Sequence, residues 1–236
     1  MKAVILCGGH ALRLHGNLDA TPKPLITVHG QPILAHIIAH YQRYGVSSFI
    51  LLVGHHEAAF RAFASSGSVP GADIQVLQTG AETPTGARIA QAAVMLDEDD
   101  QVLVTYGDGI ADVDIAALCA RHRDSGKAVT LTAVQPRLPF GLLELGPRGD
   151  VQSFVEKPRM TQRTNGGFFV LNREVLATLG HDTDFEHQTL PELAAQGRLG
   201  AYLHDGFWKS LDTYKDYVEL DSSPLPFEQG RPDSSA

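Results

Sequence analysis

The sequence predicts an α/β fold: a doubly wound, mostly parallel sheet with helices on both faces and a strand-rich addition in its second half. Three observations carry this expectation. The chain has 236 residues and 43% hydrophobic content, enough for a large core. Along the first half, apolar runs of strand length alternate with stretches of helical period, as repeated strand–helix–strand units require. Several of those runs are apolar on both faces, as parallel strands sandwiched between helices should be.

The first expected strand spans 2–6 and runs directly into Cys7-Gly8-Gly9. Further strands are expected at 48–53, 73–77, 101–105, 128–134, 142–145, 151–155, 168–171 and 201–204. Helices are expected at 32–44, 56–65, 86–96, 114–124, 173–179, 189–196 and 213–220. The first of these is the best marked. Pro32 suits an opening helical position, Ile33, Leu34, Ile37, Ile38 and Tyr41 form one apolar stripe, and Gly45 stops the run. In the second half, Pro147-Arg148-Gly149 and Asn165-Gly166-Gly167 read as turns. With no linker composition between the halves, one domain is expected over 1–221, its halves meeting near residue 125. A flexible tail is expected over 222–236, rich in Ser, Pro, Gly and charge.

Composition excludes some functions. A formal charge of −8, from 19 basic and 27 acidic residues, argues against nucleic-acid binding, which needs a basic surface. The apolar run at the amino terminus is too short for a signal peptide or a membrane span, so no membrane partner and a cytoplasmic location are expected. Cys7 and Cys119 lack any C-x-x-C pattern and read as buried thiols.

Local chemistry concentrates at the ends of the expected strands. Gly8 and Gly9 let the backbone turn sharply and aim N–H groups at anionic oxygens, while Arg13 and Lys23, the latter within Pro22-Lys23-Pro24, supply positive charge. The spacing is that of a phosphate cradle, but neither of a P-loop nor of Gly-x-Gly-x-x-Gly: Arg13 falls where the P-loop would need its second glycine, and His10-Ala11-Leu12 follow Gly9. After strand 101–105 comes Tyr106-Gly107-Asp108-Gly109. Its carboxylate is either a hard oxygen ligand for magnesium bridging phosphates or part of an Asp-Gly turn. Asp212, just ahead of helix 213–220, is either a second such carboxylate or a helix cap. Asp112-Val113-Asp114 fits the Asp-x-Asp metal motif of glycosyltransferases, though Asp114 more simply caps helix 114–124. His36 and His40, one helical turn apart, lack the third ligand of a zinc site and read as a packed or solvated pair.

Together these segments resemble the sugar-1-phosphate nucleotidyltransferases, and among them the glucose-1-phosphate cytidylyltransferases. The likeness rests on Leu6-Cys7-Gly8-Gly9 with Arg13-Leu14 and Pro22-Lys23-Pro24, and on Thr79 to Arg88. It continues through Tyr106 to Asp114, Phe140-Gly141, Glu156-Lys157-Pro158, Asn165 to Phe169, and Phe207-Trp208 to Thr213, in the family's order. Ala11, Leu12 and Ala87 depart from the usual Gly, Thr and Gly, and the connection 63–73 is shorter than expected.

The resemblance implies a Rossmann-like sheet related to GT-A glycosyltransferases, with a nucleotide-binding first half and an acceptor-binding second half. It implies a magnesium-dependent enzyme that joins a nucleoside triphosphate, CTP favoured, to a sugar 1-phosphate or similar phosphorylated small molecule, releasing pyrophosphate. Arg13, Lys23 and Asp108 would be catalytic. Leu6, Gly8, Gly9, Arg13, Lys23, Thr85, Gly86, Arg88 and Gly107 would bind nucleotide. Gly141, Glu156, Lys157, Asn165, Gly166 and Trp208 would bind the acceptor, and Asp108 and Asp212 would hold Mg2+. Self-association is common among relatives, although no heptad marks an interface here. The alternative is a nucleotide-sugar-dependent glycosyltransferase using Asp112 and Asp114.

Overall fold

The structure is a computed structural model that describes residues 1–8, 21–96 and 101–225. Gly9 and Arg13, both expected in the phosphate cradle, lie outside the described residues, as does residue 226 onward.

The strands are β1 (Lys2–Leu6), β2 (Thr27–Val28), β3 (Gln31–Pro32), β4 (Ser48–Val53), β5 (Asp73–Gln78), β6 (Gln101–Tyr106) and β7 (Gly109–Ala111). They continue with β8 (Val129–Val134), β9 (Leu142–Leu145), β10 (Val151–Val155), β11 (Thr164–Asn172), β12 (Leu199–Leu203) and β13 (Trp208–Ser210). The helices are α1 (Ile33–Gln42), α2 (Glu57–Ser65), α3 (Thr85–Gln91), α4 (Ile115–Ser125), α5 (Leu190–Ala195) and α6 (Tyr214–Ser222). Seven strands form one sheet in the order β12-β8-β11-β6-β1-β4-β5. Every neighbouring pair is parallel except those of β11, which runs antiparallel to both β6 and β8.

The period-2 pattern of the strands builds two cores, one on each face. Ala3, Ile5, Phe49, Leu51, Leu103 and Phe168 point to the side covered by α1, α2 and α4. Val4, Leu6, Ile50, Leu52, Val104 and Phe169 point to the side carrying α3 and α5. Removing a large side chain such as Phe169 from water contributes about 1.5–3 kcal/mol, so these layers are the main source of stability. In α1 the expected stripe is wholly buried, and Gly45, at φ 79, ends the helix in a left-handed turn closed to Gln42. His36 and His40 are buried on the same helix, bonded to the carbonyls of Val28 and Val113 at 2.8 and 2.7 Å.

Three expectations change. Asn165-Gly166-Gly167 is not a turn between elements but the first part of β11, where the register against β8 shifts between Asn165 and Phe169. The two glycines form a bulge: Gly167 adopts φ 81, and a Cβ there would lie 2.4 Å from Tyr106. Ser222 and Leu225, both within the expected tail, belong to the fold: Ser222 closes α6 and Leu225 is buried in the core. The segment expected as helix 173–179 is a 3-10 helix, Arg173–Thr178. Among the described residues no helix is long and apolar enough to cross a membrane.

Candidate active site

The winding of the sheet reverses between β1 and β6: β4 and β5 lie on one side of β1, and β6 and β11 on the other. In such sheets the carboxyl ends of the strands at the reversal open a crevice. β1 ends there in Cys7-Gly8 and β6 in Tyr106-Gly107-Asp108. The two ends are tied together by the Gly107 N–H donating to the Leu6 carbonyl at 3.0 Å. Gly107 must lack a side chain, since a Cβ would come within 2.9 Å of the Leu6 carbonyl oxygen and 3.1 Å of Pro24. That close packing draws the 3-10 turn Lys23–Leu25 against β6 and sets Lys23 beside Asp108.

Asp212 arrives from 104 residues further along the chain by a pairing that sequence reasoning missed. The three-residue strands β7 and β13 run antiparallel, with Gly109 opposite Ser210, and the Leu211 N–H donates to the Asp108 carbonyl at 2.9 Å. The Lys23 ammonium then donates to Asp108 Oδ2 at 3.3 Å and to Asp212 Oδ1 at 3.0 Å. Ser210 donates to Asp212 Oδ2 at 2.7 Å. Asp212 does not cap α6; Thr213 does, in a reciprocal capping box with Asp216, which leaves the Asp212 carboxylate to the crevice. Burial pushes the Asp108 carboxyl above its ordinary range; the Lys23 ammonium opposes this and the Asp212 charge adds to it. Two converging carboxylates that already share one cation are a donor set suited to magnesium, which keeps water or phosphate oxygens in its other positions.

In the segment expected to face the nucleotide, α3 begins with Thr85 and Gly86. Gly86 packs against the backbone of Thr183, where a Cβ would meet the carbonyl oxygen at 2.7 Å. Arg88 is 4% exposed, and its guanidinium is spent on a brace. It donates to the carbonyls of Thr83 and Ala81, each at 2.8 Å, to Thr79 Oγ1 at 2.6 Å and to the Gly8 carbonyl at 3.2 Å. Its charge thus orders the loop before α3 against the end of β1 rather than standing free in the crevice.

Among the residues expected to bind the acceptor, Trp208 donates from Nε1 to the Gly166 carbonyl at 2.8 Å, and Asn165 Nδ2 donates to the Tyr106 hydroxyl at 3.0 Å. Tyr106, Asp108, Gly166, Gly167, Trp208 and Ser210 line one small pocket. Gly141, Glu156 and Lys157 form a separate group at the root of the β9–β10 hairpin. A Cβ on Gly141 would lie 3.2 Å from Glu156 Oε2, and Lys157 sits at φ 46, a conformation costly for a side-chain-bearing residue.

Tyr106 and Glu186 were not foreseen. Glu186 accepts from Thr85 Oγ1 and from the Tyr106 hydroxyl, joining the start of α3 to the end of β6. Burial and then the Glu186 charge push the Tyr106 phenol up, so it stays a proton donor. Within the sequence, the placement of Tyr106 right beside Gly107-Asp108 was the available signal; Glu186 gave none.

The Asp-x-Asp alternative fits less well. Asp114 caps α4 by accepting from the Ala117 N–H at 2.8 Å, and Asp112 Oδ1 lies 3.0 Å from His204 Nε2. Cys7 is a buried free thiol whose ionisation burial disfavours.

Known proteins share this fold and much of this sequence. Crystallised HddC from Yersinia pseudotuberculosis superposes with a TM-score of 0.74 over 93% of this chain and 97% of that one; at 22% identity this speaks to fold alone. The chain is 38% identical to glucose-1-phosphate cytidylyltransferase of Salmonella typhi over 244 residues, covering 94% of this chain and 95% of that protein. It is 30% identical to mannose-1-phosphate guanylyltransferase of Mycobacterium tuberculosis over 226 residues, 92% of this chain and 63% of that longer protein. A family model described as nucleotidyl transferase matches residues 2–224. With the mostly parallel sheet and this extent of identity, the chain belongs to the nucleotidyl transferase family, among its sugar-1-phosphate nucleotidyltransferases.

Proposed function

We propose that this chain transfers the cytidylyl group of CTP to a sugar 1-phosphate, with glucose 1-phosphate the leading acceptor, and releases pyrophosphate in a magnesium-dependent reaction. One observation carries the reading: Asp108 and Asp212, distant in sequence, converge on Lys23 at the winding reversal of the sheet. The choice of CTP and of glucose 1-phosphate is supported by the names of the relatives that match nearly end to end.

Phosphoryl-type transfer asks the protein for placement and charge neutralisation rather than covalent help. An ionised oxygen of the acceptor phosphate attacks the α-phosphorus in line. The new P–O bond forms as the bond to the β-phosphate oxygen breaks, and pyrophosphate departs with that electron pair. The attacking phosphate is already anionic at neutral pH, so no general base is required. Lys23 brings positive charge to the reacting phosphates, and Gly8 lets the β1 end approach them closely. Asp108 and Asp212 would hold magnesium, which when bound supplies further neutralisation of the triphosphate. Asn165, Gly166 and Trp208 shape the acceptor side, with Glu156 and Lys157 as candidates for the sugar and its phosphate.

The test is a pyrophosphate-release screen crossing CTP, UTP, dTTP, ATP and GTP with a panel of sugar 1-phosphates, with and without magnesium. CTP with glucose 1-phosphate should give the highest kcat/KM, and chelation should abolish it. Release with another triphosphate and none with CTP would reassign the base. No release from any pair would reject the reaction.

A further inference from the structure

The reaction as derived leaves Glu186 without a task, yet this side chain connects three segments that meet only in the folded protein. One carboxylate oxygen accepts from Thr85, the first residue of α3 on the base side, and the other accepts from Tyr106 at the end of β6. Thr85 Oγ1 in turn accepts from the Phe185 N–H at 3.0 Å, and the Ala87 N–H donates to the Thr183 carbonyl at 3.0 Å. The base-side turn is therefore docked along residues 183–186. Having donated its proton to Glu186, the Tyr106 hydroxyl accepts from Asn165 Nδ2 at 3.0 Å. Asn165 Oδ1 then accepts from the Gly167 N–H at 2.9 Å. A continuous run of hydrogen bonds thus crosses the crevice from Thr85 to the Asn165–Gly167 bulge.

The support beneath it is packed and capped. Glu186 stands on a π-helical turn, Phe185–Thr189, an irregularity that recurs at functional positions. Asp184 caps that turn through the His187 N–H at 2.7 Å, and Phe185 is fully buried. Tyr106 is wedged between Gly167 and the edge of Phe169, with ring centroids 5.5 Å apart, and Asp108 follows it by two residues. The chemistry of the link requires a carboxylate. Two hydroxyl donors converge on it, and an amide offers only one acceptor oxygen to the same pair.

We propose that Glu186 is a positioning residue that fixes the nucleotide side and the acceptor side relative to each other, so that the attacking phosphate and the α-phosphorus meet in line. The inference rests on the reading of the crevice as a nucleotidyl-transfer site. A misalignment of two bound groups lowers the rate of the step more than it weakens the binding of either.

The experiment compares Glu186→Gln, Tyr106→Phe and the double variant by steady-state pyrophosphate release, with the folded fraction of each measured by circular dichroism. Glu186→Gln should lower kcat at least tenfold per folded molecule while either KM moves less than threefold. The double variant should be no worse than the poorer single, because both changes cut one chain of bonds. Three results would overturn the proposal: kcat within twofold of wild type, a loss that merely tracks the unfolded fraction, or effects that multiply in the double variant. If the wild-type protein releases no pyrophosphate from any pair, the transfer reading fails by itself. Glu186 is then judged by urea denaturation of the same variants, which reads the link to Tyr106 without turnover. The double variant should unfold at the midpoint of the poorer single, and midpoint shifts that add would reject the link.

Discussion

Replacing Gly8 by alanine tests whether the brace built by Arg88 has the rigidity assigned to it. The backbone of Gly8 does not lie at positive φ, so alanine meets no conformational penalty of its own. The obstacle is steric: a Cβ would stand 2.2 Å from Arg88 Nη1 and 2.3 Å from Cζ. A loose arginine would swing aside at little cost. Arg88 cannot, because its guanidinium holds four acceptors on two segments of chain, the loop 79–83 and the end of β1. Displacing it sacrifices about two charge-assisted hydrogen bonds, a loss of roughly 3 kcal/mol. For a protein of this size that corresponds to a fall in Tm of about 6–12 °C. The assay is a double-mutant cycle by urea denaturation. Arg88→Ala removes the obstacle, so Gly8→Ala in that background should cost less than about 0.5 kcal/mol, leaving a coupling energy near 2.5 kcal/mol. Gly54 provides a replicate, since its Cβ would lie 2.8 Å from Arg88 Nη2. Equal costs of Gly8→Ala with and without Arg88 would refute the argument.

Two further outcomes are expected. Asp108→Asn and Asp212→Asn should each lower pyrophosphate release by about 10²–10³-fold with the fold retained by circular dichroism, in the range seen when one preorganised electrostatic contact is removed. Asp112→Asn should stay within threefold of wild type, and the reverse pattern would restore the Asp-x-Asp reading. Stability should also depend on pH through His122, whose ring is buried between Thr130 Oγ1 at 2.9 Å and Asn172 Oδ1 at 2.8 Å. Burial holds its pKa below the ordinary histidine value, outweighing the Asn172 bond, and His40 is shifted the same way. The unfolded chain therefore binds more protons just below pH ~6.5, so stability present above that pH is lost as pH falls toward the folded value. The urea midpoint should drop between pH 7 and pH 5.5, and His122→Gln should flatten that slope; an unchanged slope would remove His122 as a cause.

What the sequence made legible follows from how far each signal extends along the chain. The unbroken apolar run of β1 and the repeating stripe of α1 each extend far enough along the chain to declare an element, and both elements stand where the pattern puts them. Strands β7 and β13 have three residues each and no period to read, so the pairing that joins Asp108 to Asp212 was invisible although both carboxylates had been singled out. Asn165-Gly166-Gly167 has the composition of a turn, and only the Tyr106 ring beneath Gly167 explains why the same residues form a bulge in a strand. The charge of Arg88, a candidate for nucleotide binding, is visible in sequence, whereas the backbone carbonyls that consume it are not. Glu186, in Phe185-Glu186-His187-Gln188-Thr189, looks like an ordinary surface charge. Its role depends on a π-helical turn that no local pattern announces.

The dependence of the carboxylate pair on so short a pairing has a consequence for metal affinity. Asp212 is one residue beyond Leu211, whose N–H holds it to the Asp108 backbone, and one residue before the cap of α6. From β13, Lys209 reaches across to that helix, donating to Asp216 Oδ1 at 2.7 Å and to Glu219 Oε2 at 2.8 Å. Asp216 also accepts from the Thr213 N–H at 2.8 Å, closing the capping box. Such partly exposed ion pairs contribute only about 0.2–1 kcal/mol each and a cap about 1 kcal/mol, too little to unfold the protein when lost. Yet the helix they anchor also steadies Asp212 opposite Asp108, so loosening it scatters one carboxylate of the pair while leaving the other in place. Lys209→Met combined with Thr213→Ala should therefore raise the magnesium concentration for half-maximal activity about threefold to tenfold, as about 1 kcal/mol of lost preorganisation implies, with kcat at saturating magnesium nearly unchanged. A fall in kcat at saturating magnesium, with no change in that half-maximal concentration, would show that α6 does not set the spacing of the two carboxylates.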